Sequence, residues 1–143
     1  MTNATDSVLA ELEHATVEFA AGRAAAFQDL YAHSDDVTIF GALGGHEHGW
    51  EIVGPRLAWA AAQFEPNESA TMDRTLLNAH FGSDVGFVVT LEGIPGSTLV
   101  DGTRRRGMLR VTHVFRREAD GWKIVHRHAD PLIDKVGAGG QPT

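Results

Sequence analysis

The sequence predicts an α+β domain in which helices come first and an antiparallel sheet follows. Up to about residue 64, apolar residues recur at helical spacing between cap and glycine signals. From residue 70 onward the apolar pattern changes to short runs suited to strands, separated by Gly, Asp and Ser. Helices followed by strands pack as helices on one face of a sheet. At 143 residues the chain is most simply one domain, large enough to bury a core without disulfides or metals.

Thr5, Asp6 and Ser7 offer caps for a first helix, along which Val8, Leu12, Ala15 and Phe19 recur on one face. Gly22 closes it. A shorter helix over 24–32 turns Phe27, Leu30 and Tyr31 inward. Residues 37–40 read as a short strand leading into the loop GALGGHEHG. A third helix covers 50–64, with Pro55 tolerable only in its first turn or at a restart. Strands are expected near 70–81, 84–93, 103–118 and 122–130. The predicted order is α-α-β-α-β-β-β-β. The domain is expected to span 1–131, and the tail 132–143, ending in GAGGQPT, to be flexible.

Composition removes several function classes. There is no cysteine, so disulfides, thiolate nucleophiles and cysteine-bound zinc are excluded. The N-terminus lacks a basic region followed by an apolar stretch, and no apolar run approaches the roughly 20 residues that span a bilayer. A soluble, cytoplasmic protein without a membrane partner is expected. The net charge of −7 argues against nucleic acid as a partner. That charge is uneven: residues 1–100 hold 3 basic against 14 acidic side chains, and residues 101–143 hold 9 against 5. The basic clusters at 104–106 and 116–117 suit solvated strand edges. They also suit a site for an anion.

The last strand, GWKIVHRHADP at 121–131, carries the candidate chemistry. In regular alternation Trp122, Ile124, His126, His128 and Asp130 share one face, and Lys123, Val125, Arg127 and Ala129 the other. An even hairpin loop sets His126 opposite His113 and Arg127 opposite Thr112. A three-residue loop, Ala119-Asp120-Gly121, sets His128 opposite Thr112 and Asp130 opposite Arg110. Asp-Gly suits the three-residue loop, with Gly121 left-handed.

DDVTIFG at 35–41 and LRVTHVFRREADGWKIVHRHADP at 109–131, with the order of elements, resemble the nuclear-transport-factor-2-like superfamily. Within it the chain is similar to the SnoaL-like group and to the association domain of calcium/calmodulin-dependent kinase. The resemblance implies a cone, a curved sheet wrapped around helices with a pocket at its open end. It also implies that the Thr112 face lies inside. The ketosteroid-isomerase members use a tyrosine and two aspartates, and the corresponding positions here are Ala15, Gly41 and Thr112. None can replace them.

On these premises the pocket mouth presents Arg110, Thr112, His126, His128 and Asp130. His128 held by Asp130 is the candidate acid–base group. Arg110 grips a carboxylate or enolate oxygen, or pairs with Asp130 in a structural network. Arg127, on the other face, is assigned to solvent or a subunit contact. Tyr31, Trp50 and Trp59 are candidate lining residues, otherwise core. His46-x-His48 with Glu51, and His126-x-His128, are divalent-metal patterns, though the first pair sits among glycines suited to a turn or a closing loop. No nucleophile elbow or phosphate loop is present, and no cofactor is expected.

The function expected is binding of a small anionic or carbonyl-bearing ligand, with proton transfer of isomerase or cyclase type. The alternative is a non-catalytic oligomerisation or ligand-sensing module, and the third reading is metal-dependent chemistry. A homo-oligomer, most simply a dimer, is expected because Leu109, Val111, Phe115 and Val125 need cover on the second sheet face.

Overall fold

In the computed structural model, which describes residues 3–104 and 107–140, Asn3 caps the first helix in place of Thr5, Asp6 or Ser7. Its side-chain oxygen accepts the Asp6 backbone N–H at 2.8 Å, satisfying an orphan donor of the first turn. Helix α1 spans Ala4–Ala20. It ends as a Schellman turn: the Arg23 N–H donates to the Glu18 carbonyl at 2.9 Å, and that of Gly22 to Phe19 at 3.0 Å. Gly22 takes φ 97° there, a conformation that favours glycine. Arg105, Arg106 and the last three residues of the tail lie outside the described residues.

Helix α2 (Ala25–Leu30), strand β1 (Thr38–Phe40) and helix α3 (Trp50–Ala61) follow as expected. Pro55 lies inside α3, which continues past it. The glycine-rich loop holds an unexpected two-residue strand, β2 (Glu47–His48), paired antiparallel with β1. Strands β3 (Asp73–Phe81), β4 (Val85–Gly93), β5 (Leu109–Glu118) and β6 (Gly121–Pro131) complete one six-stranded sheet. Its order is β2-β1-β6-β5-β4-β3. The sheet is mixed rather than wholly antiparallel, because β1 runs parallel to β6. The chain leaving α2 already follows β6 in that direction, through a Tyr31–Ile124 bridge and an Ala32 N–H bond to the Ile124 carbonyl at 2.9 Å.

Helices cover one face of this sheet. Val8, Leu9, Leu12 and Ala15 of α1 pack with Val53 and Leu57 of α3, and with Val88, Phe115 and Ile124 of the strands. On β4 the inward set is Gly86, Val88, Thr90 and Glu92, all buried. On β5 Val111, His113 and Phe115 are buried. Val111 and Phe115, expected to await another subunit, are therefore already buried within this chain. The outer face carries Phe87, Val89 and Leu91 beside their partners Val114, Thr112 and Arg110.

The last hairpin departs from both expected registers. Glu118 pairs with Gly121, so the turn is the shorter one, and Phe115 pairs with Ile124. Between that pair and Val114–His126 the register shifts, leaving Val125 as an extra residue of β6. Beyond this bulge Thr112 faces His128 and Arg110 faces Asp130, the cross-strand pairs of the longer loop. The bulge also exchanges the faces. Ile124 is inward before it, and after it the inward residues are Arg127 and Ala129, partners of His113 and Val111. His126, His128 and Asp130 consequently turn outward with Val114, Thr112 and Arg110.

Gly86 is the glycine the sheet depends on most. A Cβ there meets Phe81 Cδ1 at 2.3 Å, and Phe81 packs on Phe115 and Trp122. Gly86→Ala is expected to lower stability by about 1–3 kcal/mol, the usual cost of forcing one methyl into a filled core. Equilibrium urea denaturation checks this, and an unchanged midpoint contradicts it.

Candidate functional site

Between the helices and the inner sheet face lies a cavity of about 130 Å³ that opens to solvent. Phe19, Phe27, Leu57, Phe64, Ile94 and Leu109 of β5 are among its apolar lining residues. An apolar chamber with few polar groups is the usual form of a small-molecule site. Here the polar groups are Thr16, Glu47, Arg56, Glu92 and Arg127.

Arg127 enters the chamber because of the Val125 bulge. Its Nη1 donates to His113 Nε2 at 2.8 Å, and its guanidinium carbon stands 5.3 Å from the centroid of Phe27. Arginine stays protonated, so His113 must accept at Nε2 and carry its own proton on Nδ1. That Nδ1 is buried without a partner. Burial first, and the Arg127 charge second, hold the His113 pKa well below its usual value. The neutral ring is thus a strut that positions Arg127 without neutralising it. Among the described residues no carboxylate lies within 4.0 Å of this guanidinium.

Glu92 is the counterpart from β4, 7% exposed. Its Oε2 accepts the hydroxyl of buried Thr90 at 2.6 Å. No cation lies within 4.0 Å of it among the described residues. Carboxylates so hidden are rarely left without a cation. Glu47 and Arg56 answer each other at 3.4 Å. Glu47 reaches the cavity because it pairs with inward Ile39, so the unexpected β2 strand aims it.

None of the residues expected to line the pocket does so. Arg110, Thr112, His126, His128 and Asp130 stand together, but on the outer face. Arg110 grips Asp130 with two hydrogen bonds, 2.7 and 2.9 Å, and His128 Nε2 lies 3.5 Å from Asp130. His126 Nδ1 is 2.7 Å from the Thr38 hydroxyl, and Phe40 packs edge-on against both histidines. Tyr31 belongs to the core, its hydroxyl buried without a partner. Trp50 stacks on His33 at 3.8 Å, and Trp59 is 46% exposed beneath Arg56. Arg127, assigned to solvent or a subunit contact, is the arginine that faces the cavity. Among the described residues, no group of three His, Asp or Glu side chains is placed to hold a metal ion.

Residues 8–134 match the model of the SnoaL-like domain. The chain belongs to that family. Solved structures with this fold include a nuclear transport factor 2-like superfamily protein from Salmonella enterica, 18% identical with a TM-score of 0.71, the match covering 95% of this chain and 98% of that one. A Thiobacillus denitrificans protein named for the calcium/calmodulin-dependent protein kinase type II association domain is 22% identical with a TM-score of 0.62, covering 91% and 93%. A Parabacteroides distasonis protein named for ketosteroid isomerase is 17% identical with a TM-score of 0.64, covering 91% and 89%. No curated protein matches. At these identities the likeness is one of fold. No described helix of this SnoaL-like chain is long and apolar enough to cross a membrane.

The His113 site has a pH signature. Its pKa is depressed in the folded chain, whereas unfolded histidine titrates near about 6.5. Below that value the unfolded state binds a proton that the folded state refuses, so stability falls as pH falls, by up to about 1.4 kcal/mol per unit. His126, also lowered, chiefly by burial, acts in the same direction. Asp36, held down to about 2 by Arg116, contributes only below about pH 4. His113→Gln is expected to flatten, without abolishing, the dependence between pH 7 and 5 in urea titrations. Equal slopes in the two proteins contradict the assignment.

Proposed function

We propose that this SnoaL-like protein binds a small, largely apolar molecule bearing an anionic or carbonyl group, held inside the cavity by Arg127. One observation carries the reading: a guanidinium aimed into an apolar chamber, fixed by a neutral histidine and without a carboxylate partner among the described residues. Such a group is a ready anchor for a carboxylate or a polarised carbonyl, and its attraction strengthens as water is excluded. Proton transfer through His128 and Asp130 is not the favoured reading, because a ligand in this cavity does not meet them. Their bonds to each other and to Arg110 suit a network fastening the end of β6.

The test is thermal unfolding with medium-chain carboxylates against alcohols of equal length. A carboxylate at 100 times its dissociation constant stabilises the fold by about 2.7 kcal/mol. Arg127→Met is expected to lose that shift and Arg110→Met to keep it. Equal shifts from carboxylates and alcohols, or a shift that survives Arg127→Met, overturn the reading.

Self-assembly is a second part of the proposal. The outer sheet face sets the part-exposed Phe87, Val89 and Leu91 beside Val114, and a second copy is the occupant we propose for it. The likeness to a protein named for an association domain supports this. Light scattering is expected to give a dimer mass for the parent protein and a monomer mass for Val114→Arg. A monomeric parent at micromolar concentration removes the idea.

A further inference from the structure

We infer that the cavity selects a ligand with two polar ends: an anionic or carbonyl oxygen at Arg127, and a hydrogen-bond donor, hydroxyl or ammonium, at Glu92. The inference rests on the binding reading above and adds the chemistry of the ligand's far end.

The charged groups of the chamber fall into two kinds. Glu47 and Arg56 form an ion pair 3.4 Å apart, which leaves Glu47 Oε2 buried without a hydrogen-bond partner. Glu92 and Arg127 line the same cavity and carry opposite charge, yet neither forms an ion pair within 4.0 Å, with the other or with any other described residue. The sheet keeps them apart. Arg127 is level with His113 and Val88, and Glu92 lies four residues further along β4 from Val88 and two strands away. At about 3.3 Å per residue and 4.8 Å per strand their backbones are roughly 16 Å apart. Leu109 stands beside Glu92, and between that level and His113 the inner face of β5 carries the apolar Val111. A polar–apolar–polar sequence of walls matches a ligand built the same way.

Each end already has one protein partner and room for another. Arg127 spends one N–H on His113, and its other side-chain N–H groups have no hydrogen-bond partner among the described residues. Glu92 Oε2 takes the Thr90 hydroxyl. Its Oε1 accepts nothing among the described residues and is not among the buried unpartnered atoms, which include Glu47 Oε2 and the Tyr31 hydroxyl. A donor on the ligand satisfies that oxygen. A plain carboxylate leaves it as it is, and a second carboxylate is repelled, so Glu92 also discriminates against dianions.

Isothermal titration calorimetry on the full chain tests this with octanoate, its terminally hydroxylated analogue and octanedioate, each repeated at hexanoate and decanoate length. At the best length the hydroxy acid is expected to bind about tenfold tighter than the plain acid, the effect of one hydrogen bond to a charged group. The diacid is expected to bind more weakly than either. Glu92→Leu should erase the hydroxyl preference. Glu92→Gln, which keeps an acceptor, should preserve it while admitting the diacid, and it serves alone if the leucine variant does not fold. Plain acids that bind as tightly as hydroxy acids at every length overturn the inference and leave the Arg127 reading intact. A preference unchanged in both variants also overturns it. Absence of binding by every probe overturns both readings.

Discussion

Between the Val114–His126 and Phe115–Ile124 pairs, β6 holds one residue more than β5, and the polar half of the last strand is oriented by that bulge at Val125. Alternation is strict in a regular strand, so one extra residue exchanges the faces of everything after it. Without it, His126 and His128 would follow Ile124 inward and Arg127 would meet water. With it, an arginine enters the apolar chamber and the histidines join Phe40 outside. The bulge lies where the neighbour of β6 changes, from the Tyr31–Ile124 bridge to the parallel β1 pairing that begins at His126. The parallel neighbour and the extra residue together set which polar groups the core must accommodate.

The charges inside the chamber and those outside it are unequally satisfied. Removing a charge from water is costly unless something answers it. Arg127 is answered by a neutral ring acceptor and an aromatic face, and Glu92 by a hydroxyl. Those partners hold the groups in position and leave their charges standing. Outside, Arg110 and Asp130 meet in a bidentate pair, and Arg116 meets Asp36 and Glu118. The polar network of the outer face is closed, and that of the inner face is open towards a chamber. This contrast in pairing, more than residue type, separates a binding site from a fastening.

The helices were legible because Val8, Leu12 and Ala15 repeat at the helical period and Gly22 must take a left-handed turn. Strand existence and the α+β class were legible for the same kind of reason. The cap at Asn3 was not, since Thr5, Asp6 and Ser7 offer equivalent chemistry two residues later. Strand β2 was hidden by brevity and by flanking glycines, and with it the inward aim of Glu47. Nothing in KIVHRH marks Val125 as a bulge: it is β-branched, flanked by residues that suit a strand, and without a glycine. The Arg110–Asp130 contact was readable from cross-strand parity, but the face on which it lies was not. Glu92 had a signal that went unused. Gly86, Val88, Thr90 and Glu92 share one face of β4, and a buried face that turns polar towards its end is the same sign that singled out β6.

The measurement that tests this account most directly is an NMR titration with octanoate that follows the arginine side-chain Nε–H resonances and the histidine rings. The account predicts that Arg127 Nε–H and the His113 ring shift together with binding, while Arg110 Nε–H and the His128 ring stay in place. Shifts centred on Arg110 and His128, with Arg127 unmoved, would contradict it and return the site to the outer face of the sheet.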